Sequence, residues 1–371
     1  MSGDDGESVE VAFGAEFQII HVPKCGCFCL ANDGLNGFMI LIISSQEDAH
    51  ANLVRDALQS VGQRSEILSV FGFPTKERIS LHLSGTKCSW WMRTGCEDIS
   101  AIWYRRNAAI NHLSSLEPGR MDVIEQEYIS ARRACYSVLE ESDSLWVNEW
   151  KNAWSAENKA MQLRVASSVG FCVPETLISN DPAQIQEFCA RHQEAGVVHK
   201  MFHQAKFGRA TSCTAIITPT VLKDEKLLGD VPGIYQPRID LEFDLRVLVA
   251  GQSFIAARLQ SEDKRFVDSR IMAHRKGCVH AWDLDEGTKK LCLDMLDRLG
   301  LVSASIDLGM TRDGRLVFFE VNQAGNFLWM EQCNEDLPLL DFYCRFLMSG
   351  DSNFEYGFGF ENRLALASFA N

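Results

Sequence analysis

The tightest constraint on this chain is Asp313-Gly314, which stands between two apolar runs: Ala304-Ser305-Ile306-Asp307-Leu308-Gly309-Met310 and Leu316-Val317-Phe318-Phe319-Glu320-Val321-Asn322. Asp-Gly between such runs is a strong signal for a two-residue hairpin turn. With Asp313 and Gly314 as the loop, Arg312 faces Arg315, and counting outward sets Asp307 opposite Glu320. Side chains alternate along a strand, so Asn322 shares the face of Glu320.

Directly opposed residues bring their Cβ atoms to ~4.5–5.5 Å, where two carboxylates destabilise a sheet unless a cation offsets them. Asp307, Glu320 and Asn322 are therefore candidate magnesium ligands. Magnesium takes few protein oxygens and completes its octahedron with water and phosphate. The competing reading is a solvated sheet face. A three-residue loop with a bulge would shift the register and separate the pair.

With 371 residues, 46% of them hydrophobic, the chain can bury one large core or two to three lobes of ordinary domain size. No apolar run approaches the ~20 residues of a membrane span. Asp4, Asp5, Glu7 and Glu10 stand where a secretory signal is basic, so a soluble, cytoplasmic protein with no membrane partner is expected. The thirteen cysteines include no CxxC pair, and Cys25-Gly26-Cys27-Phe28-Cys29 has the wrong spacing for a tetrahedral site, so isolated thiols are expected. A formal net charge of −14 argues against nucleic acid as a partner, because phosphate binding needs a basic stripe; a basic peptide stays open.

The hydropathy pattern describes α/β lobes. Met39-Ile40-Leu41-Ile42-Ile43 reads as a buried strand, followed by a helix from His50 to Val61 with Asp48 as its cap and Gly62 as its stop. Strands near Ile67 and from Ile99 to Tyr104 continue the plan, and without GxGxxG a dinucleotide site is not supported. A helix from about Met121 to Leu139 leads to another, capped by Ser155, which carries Lys159 and ends at Gly170. A strand around Lys200 precedes a Gly-, Ser- and Thr-bearing loop from Lys206 to Thr214. Strands from Phe243 to Ala250 and from Phe254 to Leu259, then a helix from about Thr288 to Leu299, lead to the hairpin. The aromatic tail after Gly350 carries no clear signal.

Lys200 lies within an apolar strand, where burial is costly unless an anion meets it; phosphate would serve, and a lysine on a solvated face is the alternative. Lys159 taken alone reads as a surface residue. The small residues after Lys206 would let backbone N–H groups approach phosphates, although no Walker A motif occurs.

Asp307, Glu320 thirteen residues later, and then Asn322 resemble the metal-ligand pattern of the ATP-grasp superfamily. The succession Lys159, Gly170, Pro174, Lys200, Gln236 and Asp244-Leu245-Arg246 is similar to the ribosomal-protein glutamate ligase type. Within the superfamily, residues 39–332 resemble the microviridin-type peptide maturases that make graspetides. The residues concerned are Met39-Ile40-Leu41-Ile42 with Asp48-Ala49-His50, Phe73-Pro74, Ile102-Trp103-Tyr104-Arg105-Arg106, Val173-Pro174-Glu175-Thr176-Leu177-Ile178-Ser179-Asn180, Asp268-Ser269-Arg270 and Glu320-Val321-Asn322-Gln323-Ala324-Gly325-Asn326-Phe327-Leu328-Trp329-Met330-Glu331. Pro237 departs from the commoner hinge residues, and Ala324 and Phe327 depart from the maturase pattern.

The resemblance implies an α/β ATP-grasp fold. An extension of unassigned role (1–38) would precede a Rossmann-like lobe (39–148), a small central lid lobe (149–235), a C-terminal lobe carrying the metal-binding hairpin (236–350) and a tail (351–371). It implies ATP and Mg2+ as cofactors, with Lys159, Lys200, Gln236, Arg238 and Asp244 binding the nucleotide. Gln236 would meet the adenine and Asp244 the ribose. Asp307, Glu320 and Asn322 would hold the metal, Arg246 would reach phosphate, and Arg270 with Asp268 would hold the substrate carboxylate.

The implied activity is that of a ligase, a graspetide synthetase. It would activate Asp or Glu side chains of a ribosomal precursor peptide as acyl phosphates and join them to Ser or Thr hydroxyls or Lys amines as ester or amide crosslinks. Its partner would be a precursor peptide with a leader and a core rich in Thr, Ser, Asp and Glu. Two alternatives remain open: a small-substrate amino-acid or peptide ligase of the glutamate-ligase type, and a non-catalytic ATP-binding interaction module. The presence of every metal position and both lysines weighs against the second. The oligomeric state stays open, a homodimer included.

Overall fold

The computed structural model describes residues 38–69, 80–84, 87–91, 99–105, 118–140, 142–202, 206–207, 210–211, 214–260, 277–357 and 362–369. Asp268, Ser269 and Arg270, Phe73 and Pro74, Arg106, the cysteines at 25, 27 and 29 and the expected extension ahead of Phe38 lie outside the described residues.

The first apolar run forms β1 (Met39–Ser44), followed by α1 (Ala49–Ser60) and β2 (Ser65–Ser69). Asp48 caps α1 as expected, accepting the N–H groups of His50 and Ala51. A hairpin absent from the sequence reading, β3 (Ser80–Ser84) with β4 (Lys87–Trp91), precedes β5 (Ile99–Tyr104), α2 (Pro118–Leu139) and β6 (Leu145–Val147). Strands β2, β1, β5 and β6 lie in that order in a parallel sheet. Every residue of β1 is buried because both faces are covered: Met39, Leu41 and Ile43 pack with Tyr136 and Ala153, and Ile40 and Ile42 pack toward α1.

The helix expected to start at Ser155 is two helices, α3 (Trp150–Ala156) and α4 (Lys159–Val169). Asn158 accepts the Met161 N–H and starts α4, while Ser155 stays inside α3. An asparagine side chain competes with the helical backbone and so divides the segment. Gly170 ends α4 in the left-handed conformation, as expected.

The next sheet contains β7 (Leu177–Ser179), β8 (Val197–Lys200), β11 (Ala215–Ile216) and β12 (Gly233–Pro237), antiparallel in the order β11-β8-β12-β7. Helices α5 (Pro182–Arg191), α6 (Pro219–Leu222) and α7 (Glu225–Gly229) accompany it. The segment expected as an open polar loop contains a small hairpin, β9 (Lys206–Phe207) with β10 (Ala210–Thr211).

The largest sheet has the order β15-β14-β13-β16-β17, all antiparallel: β13 (Leu241–Ala250), β14 (Ser253–Leu259), β15 (Val279–Trp282), β16 (Ser303–Thr311) and β17 (Leu316–Asn322). Helix α8 (Glu286–Leu299) covers one face, where Leu245, Val247, Ile306, Leu308, Phe318 and Val321 are buried. The far half of the other face, with Leu248, Ala250, Ile255 and Ala257, joins the core shared by α1, α9 (Leu328–Cys333) and α10 (Leu339–Ser349). The first and last sheets thus share one hydrophobic core. No helix among the described residues is long and apolar enough to cross a membrane.

Candidate active site

The hairpin does not close with the expected two-residue turn. Thr311 N–H donates to Arg315 O and Gly314 N–H to Thr311 O, each at 2.9 Å, so Arg312, Asp313 and Gly314 form a three-residue loop. Gly314 has φ +80°, the left-handed position such loops require, and this decides the turn against the simple Asp-Gly count. Met310 therefore faces Leu316 and Leu308 faces Phe318, one residue out of the expected register. A β-bulge at Phe319 then restores it: Asp307 faces Glu320 and Ser305 faces Asn322. Two deviations cancel, and the carboxylates stand opposed after all.

The bulge has a second consequence. Phe318 and Val321 both turn into the core, leaving Phe319 and Glu320 between them at the half-exposed surface. The Phe319 ring lies over Gly309, where a Cβ would meet it at 2.6 Å. Lys200 Nζ sits 5.0 Å from the Phe319 ring centre, within cation–π range, so β8 of the middle sheet reaches the hairpin face. Phe319 was missed in the sequence because alternation assigns it to the core side.

Across β13, β16 and β17 the register aligns Arg246, Asp307 and Glu320 in one row. Arg246 Nη1 pairs with Asp307 Oδ2, and Lys159 Nζ, from the first residue of α4, pairs with Glu320 Oε2 at 2.9 Å. Cations thus flank an opposed carboxylate pair on rigid strands, and exposed Asn322 follows on the same face. Among the described residues no group of three His, Cys, Asp or Glu side chains gathers for a metal. Two carboxylates and an amide oxygen nevertheless fit magnesium, which leaves most positions to water and phosphate.

Side chains from earlier in the chain fix this hairpin. Gln162 on α4 is buried and bonds both backbone groups of Val321, the residue between Glu320 and Asn322: its Oε1 accepts Val321 N–H at 3.0 Å and its Nε2 donates to Val321 O at 2.8 Å. It thereby completes the outer edge of β17. Asn148 does the same for β16, accepting the N–H groups of Val302 and Ser303 and donating to Ser303 O. Neither residue belongs to a periodic or motif pattern in the sequence. Gln162→Leu leaves two buried backbone groups unpaired, so a loss of about 2–4 kcal/mol is expected, read as a lower chemical-denaturation midpoint. An unchanged midpoint would refute the clamp.

Gln236 is buried on β12, opposite Val198, and donates to Thr176 Oγ1 at 2.9 Å. Lys200 faces Ile234 on the same two strands, so Gln236 and Lys200 share one face of the middle sheet. Burial pushes the imidazole of the neighbouring His199 below its usual range. Asp244 faces Gly309 and shares a face with Arg246. Arg238 is exposed beyond β12, its N–H donating to Gly196 O, and no described contact joins its side chain to the carboxylates. Asp268 and Arg270 lie outside the described residues.

No family model and no curated protein matches the chain. Solved structures do. Macrocyclase MdnC of Microcystis aeruginosa MRC, bound with precursor peptide MdnA, aligns at a TM-score of 0.71 and 22% identity, covering 84% of this chain and 100% of MdnC. A RiPP-associated ATP-grasp ligase of Chryseobacterium gregarium, in complex with ADP and a leader and core peptide, aligns at 0.73 and 21% identity over 85% of this chain and 97% of that one. The fold is that of the ATP-grasp ligases. ATP-grasp ligase PsnB, complexed with a phosphomimetic minimal-precursor variant, Mg and ADP, aligns at 0.69 and 19% identity over 85% and 99%. Within the ATP-grasp fold, the Arg246, Asp307 and Glu320 row lies on the antiparallel sheet that follows the small middle one, and Lys159 reaches it from α4.

Proposed function

We propose that this chain is an ATP- and Mg2+-dependent ligase that crosslinks a ribosomal precursor peptide, joining Asp or Glu side-chain carboxylates to Ser or Thr hydroxyls or Lys amines. The observation that carries the reading is the opposed Asp307–Glu320 pair, flanked by Arg246 and Lys159, with Lys200 over the ring of Phe319 beside Glu320. The precursor peptides, ADP and Mg in the complexes of MdnC, the Chryseobacterium ligase and PsnB support the choice of substrate and cofactors. With 39–148 as the first lobe, 149–235 as the lid and 236–350 as the C-terminal lobe, the lid supplies Lys159 and Lys200 and the C-terminal lobe the metal ligands. On resemblance alone, Gln236 and Asp244 meet the adenine and ribose, Arg238 binds the nucleotide, and Asp268 with Arg270 takes the substrate carboxylate. The Phe319 ring offers a flat apolar surface beside these groups.

A carboxylate is a poor electrophile and must be activated. A carboxylate oxygen of the peptide attacks the γ-phosphorus, the bond from that phosphorus to the β,γ-bridging oxygen breaks, and ADP leaves with the bond's electrons. Asp307, Glu320 and Asn322 would hold Mg2+, which would supply charge neutralisation on the phosphate oxygens when bound. Lys159, Lys200 and Arg246 stabilise the same charge. The peptide hydroxyl or amine then attacks the acyl carbon, its proton passes to solvent and inorganic phosphate departs. Alignment of the two groups supplies much of the acceleration in that step.

The test is mass spectrometry of an acidic, hydroxyl-rich peptide encoded beside this chain, after incubation with protein, ATP and Mg2+. The expected product has lost one water per bond with stoichiometric ADP. Ligation of a free amino acid without water loss inside the peptide would favour the small-substrate ligase instead.

A further inference from the structure

The first sheet has the strand order β2-β1-β5-β6, so its topological switch point lies between β1 and β5. Open parallel sheets ordinarily hold a ligand in the crevice outside the carboxyl ends of the strands at that point. Here it is filled by protein. Asp48, just past β1, and Arg105, just past β5, meet there with side chains nearly or wholly excluded from solvent. Arg105 Nε donates to Asp48 Oδ2 at 2.9 Å and Nη2 donates to Asp48 Oδ1 at 3.3 Å.

The other donors of the guanidinium reach across to the turn that follows β17. Nη1 donates to Ala324 O at 3.1 Å and Gly325 O at 3.4 Å, and Nη2 also donates to Asn326 Oδ1. Three consecutive residues are thus held from one side chain, beginning two residues past Asn322. Aromatic packing backs the junction: His50 meets the Phe327 ring edge-on at 4.4 Å, Trp103 and Phe327 both pack on Tyr343, and Arg105 stacks over Trp103. A planar five-donor fork suits this task; a lysine cannot reproduce it.

The geometry points to Arg105, oriented by Asp48, as a positioning residue for the metal site: the first sheet binds the turn beyond Asn322 and sets where the metal ligands of β17 stand. Gln162 fixes Val321 from one side, and Arg105 fixes residues 324–326 from the other. Asn322 lies between these two anchors. The inference rests on the magnesium reading of the hairpin.

Full-length protein carrying Asn326→Ala, which removes one acceptor from an exposed residue, or Arg105→Lys, which keeps the buried charge, is compared with wild type in two measurements. Calorimetric titration of ADP across Mg2+ concentrations is expected to show the Mg2+ half-saturation raised about tenfold in each variant, with ADP affinity in chelator changed less than about twofold. Hydrogen exchange without nucleotide is expected to accelerate at the amides of residues 321–326. Should Arg105→Lys fail to fold, Asn326→Ala carries the test. Wild-type Mg2+ dependence in the folded variants overturns the inference, whether or not the turn exchanges faster. If wild type itself shows no Mg2+-dependent ADP binding, the metal reading falls and this inference with it.

Discussion

Glu320→Gln is expected to lower ADP release in the presence of precursor peptide by about a thousandfold while leaving the fold intact. The glutamine keeps the shape of the side chain but removes the charge that, opposite Asp307, demands a cation. Loss of a single preorganised electrostatic contact in a phosphoryl-transfer site costs about two to three orders of magnitude, and a metal ligand stands at the upper end. The fold should barely notice. The Lys159–Glu320 pair is partly exposed, and such pairs contribute less than about 1 kcal/mol. A thermal midpoint near wild type alongside collapsed turnover is the expected pattern. Full turnover in Glu320→Gln would remove the hairpin from the chemistry.

Ending the chain at Gly350 is expected to abolish cooperative folding. The tail is part of the core. Asp341, wholly buried on α10, accepts hydrogen bonds from the Tyr356 hydroxyl at 2.8 Å and the Leu364 N–H at 2.9 Å. Glu331 on α9 accepts the Leu366 N–H at 3.0 Å. Burial already pushes the Glu331 carboxyl above its usual range, and the tail's N–H group pulls it back. Phe354 and Tyr356 pack on Phe342. Truncation takes the Tyr356, Leu364 and Leu366 donors from two buried carboxylates, leaving Asp341 with Arg345 Nε and Glu331 with the Leu340 N–H. Each lost bond to a buried charged group costs about 1.5–3 kcal/mol, and the tail's aromatic packing is lost with them. Circular dichroism during urea titration would read this as loss of the sigmoidal transition; a wild-type midpoint would contradict it.

The elements most visible in the sequence were those with periodic apolar patterns. The run from Met39 to Ile43 and the helix after Asp48 appear as expected, because burial on both faces and a capped amphipathic stripe leave few alternatives. The hairpin shows a different case. Its carboxylate pairing was legible, yet its loop was misread by one residue and a bulge, a tertiary choice, corrected the register. The tail carried no signal because its role depends on Asp341 and Glu331, acids whose burial no local pattern announces. Gln162, Asn148 and Arg105 were likewise illegible as clamps: each acts on backbone groups far away in the chain. Asp48 was legible as a helix cap, Arg105 and Asn326 only as pieces of a resemblance, and the structure assembles the three into one junction.

The central claim is that a peptide carboxylate is activated through its own oxygen by transfer of the γ-phosphoryl group. It is tested most directly by supplying a precursor peptide whose Asp and Glu side-chain carboxylates carry heavy oxygen, with ATP and Mg2+, and analysing the inorganic phosphate released. One labelled oxygen in the phosphate for each crosslink formed is the result the site predicts, because the attacking carboxylate oxygen leaves with phosphorus when the acyl carbon is captured. Crosslinked peptide accompanied by unlabelled phosphate would contradict it.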